Sequence, residues 1–121
     1  MIHQEIVSKI LWSTIEDFVG LWEILWELNS LQQKTNSRDD AIKILNFLQA
    51  NKLITFYFSK WGSDELIKIS EEEVSKLIAN DTYWSPPELG QECIKVGSTK
   101  EGEDVYNSGD LSYIRESKKN I

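Results

Sequence analysis

The 121-residue chain is 40% hydrophobic and 11% aromatic, with 20 acids against 13 bases and a formal net charge of −7 at pH 7. A chain of this mass is one domain able to bury about two-thirds of the surface it exposes unfolded, and its five Trp, four Tyr and four Phe are large burial units. The lone Cys93 excludes an internal disulfide framework, and no uncharged run approaches the ~18 residues of a membrane helix.

Ile2, Ile6, Val7, Ile10 and Leu11 recur at helical spacing and predict a first helix over 2–11. Ser13-Thr14-Ile15-Glu16 has the form of a capping box, in which hydroxyl and carboxylate satisfy each other's orphan amides. It predicts the start of a second helix over about 14–31. On that helix Glu16, Glu23 and Glu27 share one stripe, whereas Phe18, Trp22, Trp26 and seven aliphatic residues fill most of the remaining circumference. So wide an apolar arc predicts a helix buried on several sides. A dimer seam along Trp22 and Trp26 is the competing arrangement.

After a polar break at 32–36, Ser37-Arg-Asp-Asp40 opens a third helix over about 38–51, with Ala41, Ile42, Ile44, Leu45 and Leu48 inward and Asn51 as its C-cap. LITFYFSK, 53–60, is rich in strand formers, and Gly62-Ser63-Asp64 suits a hairpin turn into LIKIS, 66–70. Ser70-Glu-Glu-Glu73 repeats the capping-box form and starts a helix over 71–79, its three acids complementing the helix dipole. Tandem prolines make DTYWSPPELG, 81–90, a rigid loop in which Tyr83 and Trp84 lid the core. CIKV, 93–96, is the last strand, Thr99 caps a short helix through Tyr106, and 108–121 is a polar tail beyond a single domain spanning 1–107.

AIKILNFLQANKLITFYF (Ala41–Phe58) and VGSTKEGEDVY (Val96–Tyr106) carry a likeness to a known family. The first resembles a packing helix leading into a strand, and the second a strand followed by a Thr-capped helix with a mid-helix glycine. Over about residues 14–107 the chain resembles a winged-helix domain. The resemblance implies an α+β fold, its helical N-terminal half packed on a small antiparallel sheet with a helix-loop insertion before the last strand. It implies a fold and not a function.

The chain departs from DNA-binding members of that family where they meet the duplex. The matching helix offers Arg38, Lys43 and Lys52 against Asp39 and Asp40, and the wing region sets Asp64 and Glu65 beside Lys60 and Lys68. A basic patch would have to be assembled from Lys34, Arg38, Lys43, Lys52 and Lys60.

The residues for catalysis or metal binding are sparse. His3 is the sole imidazole and Cys93 the sole thiol, so neither a Cys–His nucleophile nor a His/Cys metal site is predicted. Gly97-Ser-Thr-Lys-Glu-Gly102 lacks the Lys-Ser/Thr that must follow a phosphate loop's second glycine, with Glu103 and Asp104 there instead. Cys93 on an apolar strand reads as a small buried hydrophobe. No enzyme activity, cofactor or metal is expected. MIHQEIVSKILW has neither the basic start nor the long apolar run of a secretory leader, so the expected address is the cytoplasm.

Charge is what points to a partner. Residues 64–104 hold 11 acids against four lysines. Such a field repels phosphate backbones and acidic membranes and draws cationic proteins. The expectation is a non-enzymatic acidic interaction module, of the immunity or antitoxin-inhibitor type, on a basic, nuclease-like partner. Its carriers are Asp64, Glu65, Glu71, Glu72, Glu73 and Glu88, with Tyr83 and Trp84 as aromatic anchors. The alternative is a winged-helix regulator or adaptor, dimeric, with weak or no DNA binding.

Overall fold

A computed structural model describes residues 4–33 and 37–108. The expectations for Ile2, His3, Lys34 and the tail beyond 108 lie outside the described residues. Helix α1 (Gln4–Glu16), strand β1 (Val19–Gly20), α2 (Leu21–Gln32) and α3 (Arg38–Ala50) lead into β2 (Ile54–Lys60) and β3 (Ile67–Lys68). Helix α4 (Glu71–Ile78), a 3-10 turn (Asp81–Trp84), β4 (Glu92–Ser98) and α5 (Lys100–Ser108) complete the order. The four strands form one antiparallel sheet in the order β1-β4-β2-β3. This is an α+β fold, its helical N-terminal half packed on a small sheet, with α4 and the 3-10 turn between β3 and β4. The arrangement is compatible with a winged-helix-like domain.

The first two helices are not divided where the capping signal at Ser13 predicts. Helix α1 runs on through Glu16, because the two hydroxyls turn back onto their own helix: Thr14 Oγ1 donates to the Leu11 carbonyl (2.7 Å) and Ser13 Oγ to that of Lys9 (3.2 Å). Ser13 Oγ also reaches Glu27 Oε1 at 2.7 Å, tying α1 to α2. Phe18 and Val19 belong to the connection and to β1, not to the single long helix that their apolar spacing predicts. The start of α2 falls after Gly20, whose N–H donates to Glu23 Oε1 (3.0 Å).

Later elements lie close to their predicted places. Helix α3 ends at Asn51 in a Schellman motif: the Lys52 N–H donates to the Gln49 carbonyl and the Leu53 N–H to that of Leu48, both at 2.9 Å. Lys52 itself takes a left-handed conformation (φ 63°). At α5 the Gly102 N–H donates to Thr99 Oγ1 (3.1 Å), as a cap should. Ser70 starts α4 in a different way from the predicted box, since its hydroxyl donates to Glu73 Oε1 (3.0 Å) and accepts nothing from the helix.

The main core lies between the helices and the sheet face carrying Ile54, Phe56, Ile94 and Val96, all buried. The opposite face has a separate cover of rings. Trp22 is buried there against Trp61, and Phe18 meets Tyr57 edge-on at 5.5 Å between centroids. Gly97 leaves room for the Phe18 ring, which a Cβ would strike. The broad apolar arc of α2 therefore faces three environments. Leu21, Ile24 and Leu28 enter the main core, Trp22 joins the second cluster, and Trp26 remains 60% exposed.

Candidate functional site

Strand pairing and two tied turns divide the candidate acids between opposite ends of the sheet. At the β2 exit, the Ser63 N–H donates to the Lys60 carbonyl and the Glu65 N–H to Ser63 Oγ, fixing the turn that carries Asp64 and Glu65. A second turn lies against it. The Trp61 N–H donates to the Gln91 carbonyl and the Gly90 N–H to the Trp61 carbonyl, both at 2.9 Å. Glu88 is held in that second turn, its N–H donating to Gln91 Oε1 (2.9 Å). Glu92 follows directly and pairs in register with Lys60. Asp64, Glu65, Glu88 and Glu92 thus share one end of the molecule, and residues 60–65 and 88–92 contain one base, Lys60.

This end also exposes apolar surface. Leu89 is 85% exposed, Ile67 58% and Trp61 39%. Exposed apolar residues beside charged ones are what a docking surface offers. Tyr83 borders it, half-buried, with its hydroxyl donating to Glu92 Oε1 at 2.8 Å. Burial, and then the Glu92 carboxylate accepting its proton, push the Tyr83 hydroxyl above its ordinary range.

Glu71, Glu72 and Glu73 stand elsewhere. They open α4 beside the start of β2, about 20 Å from the turns at ~3.3 Å per strand residue. Glu71 is also partnered, by Lys52 Nζ at 3.0 Å. A cavity of about 570 Å³ at this end is lined by Lys52 and Lys68 as well as Glu71 and Glu101, so its charges balance. Trp84 is a core residue, 6% exposed, with its indole N–H donating to the Ile78 carbonyl (2.7 Å). It lids the core as expected and offers no surface to a partner. The eight residues singled out from sequence therefore do not form one face. Asp64, Glu65, Glu88 and Tyr83 lie at one end, and Glu71–Glu73 and Trp84 stand apart.

No significant match to a protein-family model, a curated protein or a solved structure is found. Glu92, Ile67 and Leu89 belong to the site and are not singled out by the sequence pattern. Glu92 looks like one more strand-end acid until the β2–β4 register sets it against Lys60.

The basic patch needed for a helix-on-duplex mode is divided. Arg38 donates to the Asp81 carboxylate and to the Ala79 carbonyl (2.8 Å), and its guanidinium lies 5.7 Å over the Trp84 ring. Lys52 is paired with Glu71. Lys43 and Lys60 are exposed on different elements. Among the described residues no three His, Cys, Asp or Glu side chains converge as metal ligands, and no helix is long and apolar enough to cross a membrane. Cys93 is buried, and burial pushes its thiol upward; Lys95 opposes the rise, and Glu23 and Glu92 add to it.

Proposed function

We propose that this protein is a non-enzymatic acidic interaction module that docks its β2-exit end on a basic protein, as an immunity or antitoxin-type inhibitor would on a nuclease-like partner. The observation that carries the reading is that Asp64, Glu65, Glu88 and Glu92 share one end of the sheet with exposed Ile67, Leu89 and Trp61. The acids would accelerate encounter with a cationic cleft, and the apolar residues would hold the docked state. The winged-helix regulator is the second reading, favoured by the order of elements. Against its DNA-contacting form stand the ion pairs of Arg38 and Lys52, which spend those charges within the fold.

The test is affinity capture from nuclease-treated host lysate at low and high salt, using the native chain and the double variant Glu65→Lys/Glu88→Lys. The expected outcome is one basic protein that rebinds when purified, dissociates as salt rises, and is lost by the double variant. Equal capture by both chains would overturn the reading. Recovery of DNA alone, in lysate spared the nuclease, would favour the regulator.

A further inference from the structure

We propose that the cavity beside Phe58 is a socket for an arginine side chain of the partner, an inference that rests on the docking surface described above. The cavity measures about 220 Å³ and is lined by Phe58, Lys60, Ser63, Glu65, Ile67 and Glu92. That is roughly seven times the ~30 Å³ occupied by a water molecule, room for the seven heavy atoms of an arginine side chain. Phe58 and Ile67 face each other in register across β2 and β3 and give it an apolar floor. Glu65 and Glu92 supply negative charge.

One of these carboxylates is already oriented. Tyr83 donates to Glu92 Oε1, and its ring leans on Phe58 at 6.4 Å between centroids. A ligand's methylene stem would lie on Phe58 and Ile67 while its charged end met Glu65 and Glu92. Acids on an open surface attract any cation alike; the apolar floor is what selects. Guanidinium is planar, weakly hydrated and stacks on aromatic rings, whereas an ammonium is compact and strongly hydrated. Two carboxylates are too few to cage a metal ion, and no third ligand converges among the described residues. Lys60 opposes the occupant. It lies in register with Glu92, so its ammonium competes for the same carboxylate region. Removing that charge should therefore tighten binding, a sign that a purely structural role for the cavity would not produce.

The experiment is an NMR titration of the full ¹⁵N-labelled chain with N-acetyl-arginine methylamide, with the citrulline and lysine analogues as controls. Expected are saturable shifts at the amides of Phe58, Glu65, Ile67 and Glu92, none with citrulline, and weaker binding of lysine. Glu65→Gln and Glu92→Gln should each weaken arginine binding about fivefold, as loss of a charge-assisted contact does, and Lys60→Gln should strengthen it about twofold to threefold. Glu92→Gln keeps a side-chain oxygen to accept from Tyr83, and Glu65 is exposed, so both variants keep the fold.

Equal shifts with citrulline, or arginine binding unmoved by Glu65→Gln, overturn the socket. The two proposals fail separately. No arginine binding, with a basic partner still lost on Glu65→Lys/Glu88→Lys, removes the socket and leaves the docking surface. Saturable arginine binding without any basic protein partner keeps the socket and removes the inhibitor reading.

Discussion

Trp22 and Trp61 meet edge to face, 5.2 Å between ring centroids, on the side of the sheet away from the main core. Lys95 Nζ lies 5.8 Å over the Trp61 ring. The pair joins the start of α2 to the exit of β2. The end of the sheet that carries the acidic turns is therefore braced on that face.

That relationship separates two tryptophans one helical turn apart. Trp22→Ala should cost about 3–5 kcal/mol, the range for deleting a buried large aromatic. Trp26→Ala, at a site 60% exposed, should stay within about 0.5 kcal/mol. Urea unfolding of both variants checks this. Similar losses for the two would place Trp26 in a buried seam between copies.

Gly102 gives a prediction whose sign opposes helix propensity. In an open mid-helix site Gly→Ala gains about 1 kcal/mol. Here the added Cβ would strike the Leu53 carbonyl oxygen, a backbone atom that also accepts the Thr99 N–H at 2.9 Å. Gly102→Ala should therefore destabilise by about 1–3 kcal/mol, read as a lower urea midpoint at unchanged slope.

Lys52 is strained in the opposite sense. Its φ of 63° suits glycine, and the Schellman bonds it completes use backbone atoms alone. Its side chain adds the exposed pair with Glu71, worth ~0–1 kcal/mol. Relief of left-handed strain is worth about 1–2 kcal/mol. Lys52→Gly should stabilise by roughly 0.5–1 kcal/mol in thermal or urea unfolding, the difference of the two effects and the usual size of a backbone-compatible change.

Alkaline pH should weaken the fold through two groups. Burial raises the Cys93 thiol above its ordinary 9.0. Burial, and then Glu92, raise the Tyr83 hydroxyl above 10.0. In both cases the unfolded chain loses its proton first. Their contribution is complete below the unfolded value and declines as pH rises from there through the folded value. Urea midpoints should fall from about pH 9 upward, and the fall should flatten in Cys93→Ala and Tyr83→Phe. A thiol-reactive dye should label the native chain far more slowly than the unfolded one.

Much of the fold was legible in the sequence because its signals are local. The Asn51 cap, the Thr99 cap, the strand at LITFYFSK and the helix after Ser70 each depend on residues within a few positions. The Ser13–Glu16 signal failed because both hydroxyls had another partner within one turn of their own helix, and Glu27 drew Ser13 further. Strand β1 has no local signal, since two residues carry no periodicity and exist as a strand only by pairing with β4.

The candidate site divides in the same way. Composition determined that the chain is acidic, that residues 64–104 hold most of the excess, and that it carries one imidazole and one thiol. Only the tertiary structure decided which acids stand together. The β2–β4 register brought Glu92 beside Lys60, and two hydrogen-bonded turns set Glu88 and Glu65 at the same end across more than twenty intervening residues. It also paired Glu71 with Lys52 at the far end and sank Trp84 into the core. Charge is additive along a chain and can be counted there, but a surface depends on long-range pairing, which no short window of residues encodes.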